Sequence, residues 1–327
     1  MYDLVIIGAG PAGISMAAEA RRSGISEDKI IILEKSEEHS YSIRKFYPDQ
    51  KLVTANYKGQ AALCKGVMCL TDTSKQETLS LLDQAIESYK INVHYKETVY
   101  KIQKQTDGTF VIGSDKGEYA SKTCVIAIGM MGKPNKPDWS IPSELRSDVV
   151  FDITSQKIEN CEVLVIGGGD SASEYAQYLN QEGNKVTFSY RKNEFSRMNE
   201  INRDSLLELS KRGDVPLLLG SNVTGVEPGT TKTVKVNFQE DEFGSKEYDK
   251  VVLALGGTTP KNFLALLNID FNGDDPIVKD GFETSIPGLF LIGDLSAGRK
   301  GGSIISAFNS SHDAMKKICD SYLSCEL

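Results

Sequence analysis

Two glycine-rich turns, each set between an apolar run and a helix-like stretch, constrain this chain more than any other feature. The first reads Gly8, Ala9, Gly10, Pro11, Ala12, Gly13 after the apolar run from Leu4 to Ile7, and a second apolar run, Ile30 to Leu33, ends in Glu34 and Lys35. The second reads Gly167, Gly168, Gly169, Asp170, Ser171, Ala172 after Val163 to Ile166, and the apolar stretch that follows ends in Tyr190, Arg191, Lys192. A strand that turns sharply into a helix needs one glycine for the turn. It needs a second so that main chain can approach a pyrophosphate, and a small third residue so that helix and strand pack closely. The helix start then offers unpaired N–H groups and a partial positive charge to the phosphates. The pattern predicts two dinucleotide-binding units in one α/β chain.

The residues that close the two units differ in charge. A carboxylate about 20 residues past the turn accepts hydrogen bonds from the hydroxyls of an adenosine ribose, so Glu34 suits FAD or NAD. A cation at that point suits a 2′-phosphate, so Arg191, with Lys192 and Arg197 behind it, reads as NADPH. A charged hydrogen bond of this kind contributes roughly 1.5–3 kcal/mol, on the order of tenfold to a hundredfold in preference.

At 327 residues the chain is long enough for two domains with separate cores. A net charge of −8 argues against a general nucleic-acid binder, which needs a basic surface. The first strand pattern begins at residue 2 and no apolar run approaches the roughly 20 residues needed to cross a bilayer, so the expectation is a cytoplasmic protein without a membrane segment. Six cysteines are scattered through the chain. In a reducing compartment most of them are expected to be inert thiols, with Cys124 and Cys161 as small core residues. His39, His94 and His312 form no paired Cys/His spacing, so no metal site is expected.

Along the chain, a helix near Gln76 to Tyr89 precedes strand patterns at Val93 to Tyr95, Val99 to Gln103, Phe110 to Ile112 and Thr123 to Ile128. Gly129, Gly132, Pro134 and Pro137 punctuate a junction before the second glycine turn, and Gly256, Gly257 and Pro260 punctuate another. Between them lie strand patterns at Val215 to Leu219, Val234 to Phe238 and Val251 to Leu255. The end of the chain supplies Leu289 to Ile292, Gly293, Asp294 and a helix from about Ser303. The expectation is an α/β fold of two Rossmann-like dinucleotide-binding domains. Residues 1–130 and 257–327 form the FAD domain, and residues 131–256 form an NADPH domain inserted into it.

In this order, the first fingerprint, Ala127-Ile128-Gly129, the GGGDSA stretch at 167–172, Tyr190-Arg191-Lys192, and Thr284 to Phe290 running into Gly293-Asp294 resemble the two-dinucleotide-binding flavoproteins of the thioredoxin reductase type. The resemblance implies that Gly129, Gly293 and Asp294 hold FAD, with Asp294 on its ribityl chain. It implies that the helix start at Ser303 and Ile304 faces the pyrimidine edge of the flavin, and that the protein is a homodimer. A helix N-terminus suits that edge, where reduced flavin carries negative charge.

The departures from that family are as informative. Thioredoxin reductases carry a CxxC dithiol shortly before the second fingerprint; here residues 148–154 read DVVFDIT, and no CxxC occurs anywhere. Cys64 and Cys69 have the CxxxxC spacing of the glutathione reductase group in a different context. Bacillithiol disulfide reductase-like flavoproteins have a cysteine where this chain has Ala12. The chain is most similar to the thioredoxin-reductase-like ferredoxin or flavodoxin NADP reductases, which lack the dithiol and stack a tyrosine on the flavin; Tyr47-Pro48 matches that feature. This resemblance implies reversible electron transfer from NADPH through FAD to a flavodoxin or ferredoxin, with no catalytic side chain. Arg299, Lys300, Lys316 and Lys317 are candidates for a docking patch near the flavin. A disulfide reductase, an NADPH:quinone reductase and a nonenzymatic NADPH sensor are the alternatives.

Overall fold

The computed structural model describes residues 1–47, 52–57, 60–61, 63–129, 134–153, 156–198, 200–256, 263–264, 266–273, 275–297 and 302–326. The chain divides into two compact units, Met1–Met131 with Thr259–Leu327, and Gly132–Thr258. The first unit opens with β1 (Tyr2–Ile7), α1 (Pro11–Arg22), β2 (Ile30–Leu33), α2 (Tyr41–Phe46) and α3 (Lys75–Ser88). It continues through β3 (Val93–His94), β4 (Val99–Lys104), β5 (Phe110–Ser114) and β6 (Gly117–Ile126).

The second unit contains β7 (Val149–Val150), β8 (Glu162–Ile166), α4 (Asp170–Gln181), β9 (Lys185–Tyr190), α5 (Glu200–Arg212) and β10 (Leu217–Leu219). Strands β11 (Val223–Pro228), β12 (Val234–Phe238), β13 (Ser245–Tyr248) and β14 (Lys250–Leu253) complete it. The chain then returns to the first unit with β15 (Leu289–Leu291), α6 (Asp294–Ala297) and α7 (Ile304–Ile318).

In the first unit β1 lies between β2 and β6, and β3 extends the sheet beyond β2, all in parallel. The ten-residue β6 serves two purposes. Its first half pairs antiparallel with β5, and its second half pairs in parallel with β15. Alternation along the strands sorts the apolar runs into two cores. Leu4, Ile6, Ile30, Ile32 and Val125 face the cluster that contains α1, α3 and α7. Val5, Ile7, Ile31, Leu33, Cys124 and Ile126 face the cluster with Phe110, Leu264 and Leu295. Both faces are covered, which is why the strands read as continuous apolar runs and not as alternating ones.

The second unit repeats the plan. Its five parallel strands run β7-β14-β8-β9-β10. Val163, Val165, Val186 and Phe188 pack under α4 and α5, whereas Leu164, Val251 and Leu253 pack on the antiparallel ribbon β11-β12-β13. Three of these elements escape the sequence patterns. Among the residues of α5 only Leu206 is buried, and β11 and β13 are short and largely polar.

The expectation of inert thiols is corrected for four of the six cysteines. Cys64–Cys69 and Cys319–Cys325 are disulfides, their Cα atoms 5.4 and 4.5 Å apart, while Cys124 and Cys161 are free. In each pair the intervening chain turns tightly enough to bring the two Cβ atoms together, which spacing alone does not reveal. No helix among the described residues is long and apolar enough to cross a membrane.

Candidate functional site

Each glycine turn has some glycines packed against main chain or a ring and one that faces open space. At the first, Gly8 has φ +101°, and a Cβ there would stand 2.6 Å from the Ala127 carbonyl oxygen. A Cβ at Gly13 would stand 1.9 Å from the Gly8 carbonyl oxygen, but one at Gly10 would meet nothing within 4 Å. At the second, a Cβ at Gly167 would stand 2.4 Å from the Ala254 carbonyl oxygen and one at Gly168 would fall 1.9 Å from the Tyr190 ring. Gly169 again faces open space. Packing demands the first glycine of each turn, and the outward one leaves room for a ligand.

Helices α1 and α4 start at these outward glycines with no side-chain cap. The contrast with the other helices is instructive. Helix α3 has a full capping box from Ser74 and Glu77, and in α7 Ser303 accepts the Ser306 amide. Uncapped amides, the helix dipole and a bare glycine at the same point fit a pyrophosphate. Pro11 at the start of α1 gives up only an N–H that has no helical partner, and Ala12 is buried beneath it. In α4, Ser171 is exposed and Ala172 is buried, while Asp170 Oδ1 accepts from the Asn202 side chain at 3.2 Å.

Glu34 directly follows β2 with only 7% of its surface exposed. One carboxylate oxygen accepts the Ala9 amide, inside the glycine turn itself, at 2.7 Å, and the other accepts the Ser36 amide at 2.7 Å. Each oxygen keeps a further lone pair for a ribose hydroxyl. The main chain around Glu34 is clamped by bonds to the His94 carbonyl at 2.8 Å and from the Glu97 amide at 2.9 Å. Glu97 is itself a buried acid that accepts from the Ser114 and Tyr119 hydroxyls at 2.5 and 2.7 Å. Burial first, and then the bond to Glu97, pushes the Tyr119 phenol up to about 12. Sequence reasoning missed Glu97, whose role depends on strands that meet only in the fold. Lys35 is exposed beside Glu34.

A second cluster joins residues from the two ends of the first unit. A Cβ at Gly293 would stand 3.0 Å from the Cβ of Ala12, and one at Gly302 would fall 1.8 Å from Asp294 Oδ1. The Gly293 amide donates to Ser310 Oγ at 3.0 Å, and Ser311 Oγ donates to the Ala12 carbonyl at 2.9 Å. Ala12, Gly293, Asp294 and the start of α7 at Ser303 and Ile304 therefore share one corner, with Gly302 as the contact that sequence reasoning did not single out. Gly129 follows β6 with φ +65°. Tyr47 is half-buried and packs against the core that contains α1; Pro48 lies outside the described residues.

The Asp294 carboxylate is held above the usual carboxylate range by burial alone. The residue is half-buried and its carboxylate has no hydrogen-bond donor among the described residues, which fits a ligand rich in hydroxyls. Because the folded protein binds this proton more readily than the unfolded chain, the group's contribution to stability is fullest at low pH. It is lost as pH rises through the ordinary carboxylate range to the raised value. The Asp294→Asn variant is expected to melt higher than the parent when free of FAD at about pH 7.5, to lose that advantage near pH 4, and to retain FAD less well. Melting curves at both pH values, with and without FAD, check this; a lower FAD-free midpoint at about pH 7.5 overturns it.

At the end of β9, Arg191, Lys192 and Arg197 are exposed and form no ion pair among the described residues. Their loop is nevertheless held. The Ser221 amide donates to the Tyr190 carbonyl at 3.1 Å and the Gly220 amide to the Lys192 carbonyl at 3.2 Å. The Phe195 ring stacks on Tyr190 at 5.5 Å and 11°. Three cations with no carboxylate partner suit a phosphate.

Lys316 and Lys317 occupy the last turn of α7. At 1.5 Å per residue they lie about 18 Å along the helix from Ile304, so they do not belong to the corner at its start. Arg299 and Lys300 lie outside the described residues.

The family model described as pyridine nucleotide-disulphide oxidoreductase matches residues 5–293. The chain is 27% identical over 310 residues to a ferredoxin–NADP reductase of Ignicoccus hospitalis, covering 92% of each protein. It is 26% identical over 306 residues to a ferredoxin–NADP reductase of Streptococcus thermophilus, covering 90% of this chain and 84% of that one. Among solved structures, a bacillithiol disulfide reductase from Bacillus cereus matches with a TM-score of 0.81 at 20% identity, covering 98% of this chain and 99% of that one. Thioredoxin reductase from Lactococcus lactis matches with a TM-score of 0.77 at 24% identity, covering 98% of both. These two likenesses establish the fold. The cofactors implied by the family model and these relatives are FAD and NADPH.

Proposed function

Since this chain belongs to the pyridine nucleotide-disulphide oxidoreductase family, we propose that it passes electrons from NADPH through FAD to a flavodoxin or ferredoxin, reversibly, as a cytoplasmic homodimer. The observation that carries this reading is a pair of open glycine cradles closed by opposite charges, buried Glu34 and exposed Arg191, in a chain whose 148–154 stretch has no cysteine. The ferredoxin–NADP reductases it resembles do so over nearly their whole length, which supports the choice of acceptor.

Bound FAD links the two-electron chemistry of a nicotinamide to the one-electron chemistry of a carrier. The chain's own residues bind and orient. The uncapped start of α1 holds one pyrophosphate and that of α4 the other, Glu34 fixes a ribose, and the Asp294 carboxylate takes ribityl hydroxyls. The amides at Ser303 and Ile304, at the positive end of α7, favour negative charge on the ring edge nearest them. Arg191, Lys192 and Arg197 select the 2′-phosphate. No side chain has to form a covalent bond.

The Cys64–Cys69 disulfide does not favour a disulfide reductase. Its loop is bonded to Glu19, nine residues along α1 from Gly10 and hence about 13 Å from the pyrophosphate end. Anaerobic stopped-flow measurement with NADPH is expected to show reduction of flavodoxin or ferredoxin. Failure with both carriers, together with rapid turnover of thioredoxin or a low-molecular-weight disulfide, overturns the proposal.

A further inference from the structure

The loop closed by Cys64 and Cys69 is pressed onto two helices at once. On α1, the Glu19 carboxylate, 1% exposed, accepts the Val67 amide at 2.7 Å and meets His312 Nδ1 at 3.2 Å. On α7, the Asn309 side chain accepts the Lys65 amide at 3.0 Å and donates to the Leu63 carbonyl at 2.9 Å, and Asp313 pairs with the Lys65 ammonium at 2.6 Å. The approach is so close that a Cβ at Gly66 would stand 1.8 Å from Glu19 Oε1. These are the two helices whose N-terminal ends meet at Ala12, Gly293 and Asp294. The loop staples them partway along their length.

We propose that Cys64–Cys69 is a redox-modification site, opened by a dithiol of protein or low-molecular-weight class, and that opening it loosens the hold on FAD. This rests on the reading of the first cradle as the FAD site. A cleft of about 420 Å³, lined in part by Glu19, Arg22, Lys65, His312 and Glu326, lies against the Lys65–Val67 stretch between the two cysteines. Cys69 is exposed and Cys64 half-buried, so the incoming thiolate attacks Sγ of Cys69. The S–S bond breaks, a mixed disulfide forms, and Cys64 leaves as a thiolate that takes up a proton. The second thiol of the reductant then attacks the mixed disulfide and releases the Cys69 thiolate, which is protonated in turn. Two electrons and two protons pass from the dithiol to the pair, and the reductant departs as a disulfide.

The consequence follows from Glu19. A closed ring limits the conformations available to the loop, and opening it frees them. Once the Val67 amide leaves, a carboxylate within the interface of α1 and α7 keeps only His312 as partner, and a buried acid short of donors favours admission of water. Water there parts the two helices whose ends form the corner at Asp294. The Cys319–Cys325 pair supplies a comparison, because Cys319 is 2% exposed and Cys325 half-buried, whereas Cys69 is exposed, so this pair is expected to open more slowly.

The test uses the holoprotein, with dithiothreitol titrated as the dithiol and alkylation with mass spectrometry to find the dose at which Cys64 and Cys69 have opened and Cys319 and Cys325 have not. Flavin fluorescence on release reads the FAD Kd. Reduction is expected to raise that Kd about fivefold or more, and the Cys64→Ser, Cys69→Ser double variant to match the reduced protein. Gly66→Ala in the oxidised protein is expected to reproduce the rise, with little further effect of reduction. A Kd that stays within about twofold in both the reduced protein and the double variant overturns this inference alone. An oxidised protein that binds no FAD overturns the FAD reading, and this inference with it.

Discussion

Replacing Gly10 by alanine is expected to leave a folded protein that has lost its flavin. A Cβ at this position meets nothing within 4 Å, so the FAD-free fold has no reason to shift beyond the cost of a poorer helix start, about 1 kcal/mol or less. The same methyl stands where a pyrophosphate must approach bare main chain. If it displaces two charge-assisted amide bonds of roughly 1.5–3 kcal/mol each, FAD affinity falls on the order of a hundredfold to ten-thousandfold. Gly13→Ala is the instructive partner. Its Cβ would collide with the Gly8 carbonyl oxygen, so it should lower the melting midpoint even without FAD, by overpacking worth roughly 1–3 kcal/mol. Flavin absorbance of the purified proteins and thermal melts without FAD separate the two effects. Normal flavin content in Gly10→Ala would remove the cradle from the FAD site.

Arg191→Ala is expected to abolish the preference for NADPH over NADH while sparing NADH. The residue is exposed and carries no ion pair among the described residues, so its loss leaves no buried group unpaired and should barely change stability. One charged hydrogen bond to a 2′-phosphate corresponds to roughly tenfold to a hundredfold in affinity. Because that bond is screened by salt, the parent's preference should itself narrow as ionic strength rises. Titrations of both nucleotides at low and high salt, read by direct binding, test this. An unchanged NADPH to NADH ratio in the variant would assign the discrimination to other residues.

The two cradles were legible because glycine spacing and apolar runs are local properties of the chain. Glu34 and Arg191 were legible for the same reason, each standing where a strand pattern stops. Helix α5 was not, since its buried surface is nearly all Leu206 and its remaining residues carry no apolar period. The meeting of Asp294 with Gly302 depends on how a short helix and a long one are joined, and that of Glu97 with Tyr119 on strand register. Neither is written in spacing. Lys316 and Lys317 show the opposite error, for a shared helix says nothing of nearness when the turns between them add about 18 Å. The cysteine pairs likewise needed the fold, which presses residues 63–67 against Glu19 and Asn309.

The long strand β6 sets an order of events during synthesis. Its second half cannot gain its neighbour β15 until about 160 further residues have left the ribosome, and those residues include the whole second unit. At rates of roughly 5–20 residues per second, the first sheet waits on the order of ten to thirty seconds for its missing strand. The nascent second unit has its full sheet in hand well before then. Asp294 and α7 follow the second unit in the chain, so a nascent first unit lacks the corner that would hold the flavin, and cofactor capture waits until the inserted unit has been made.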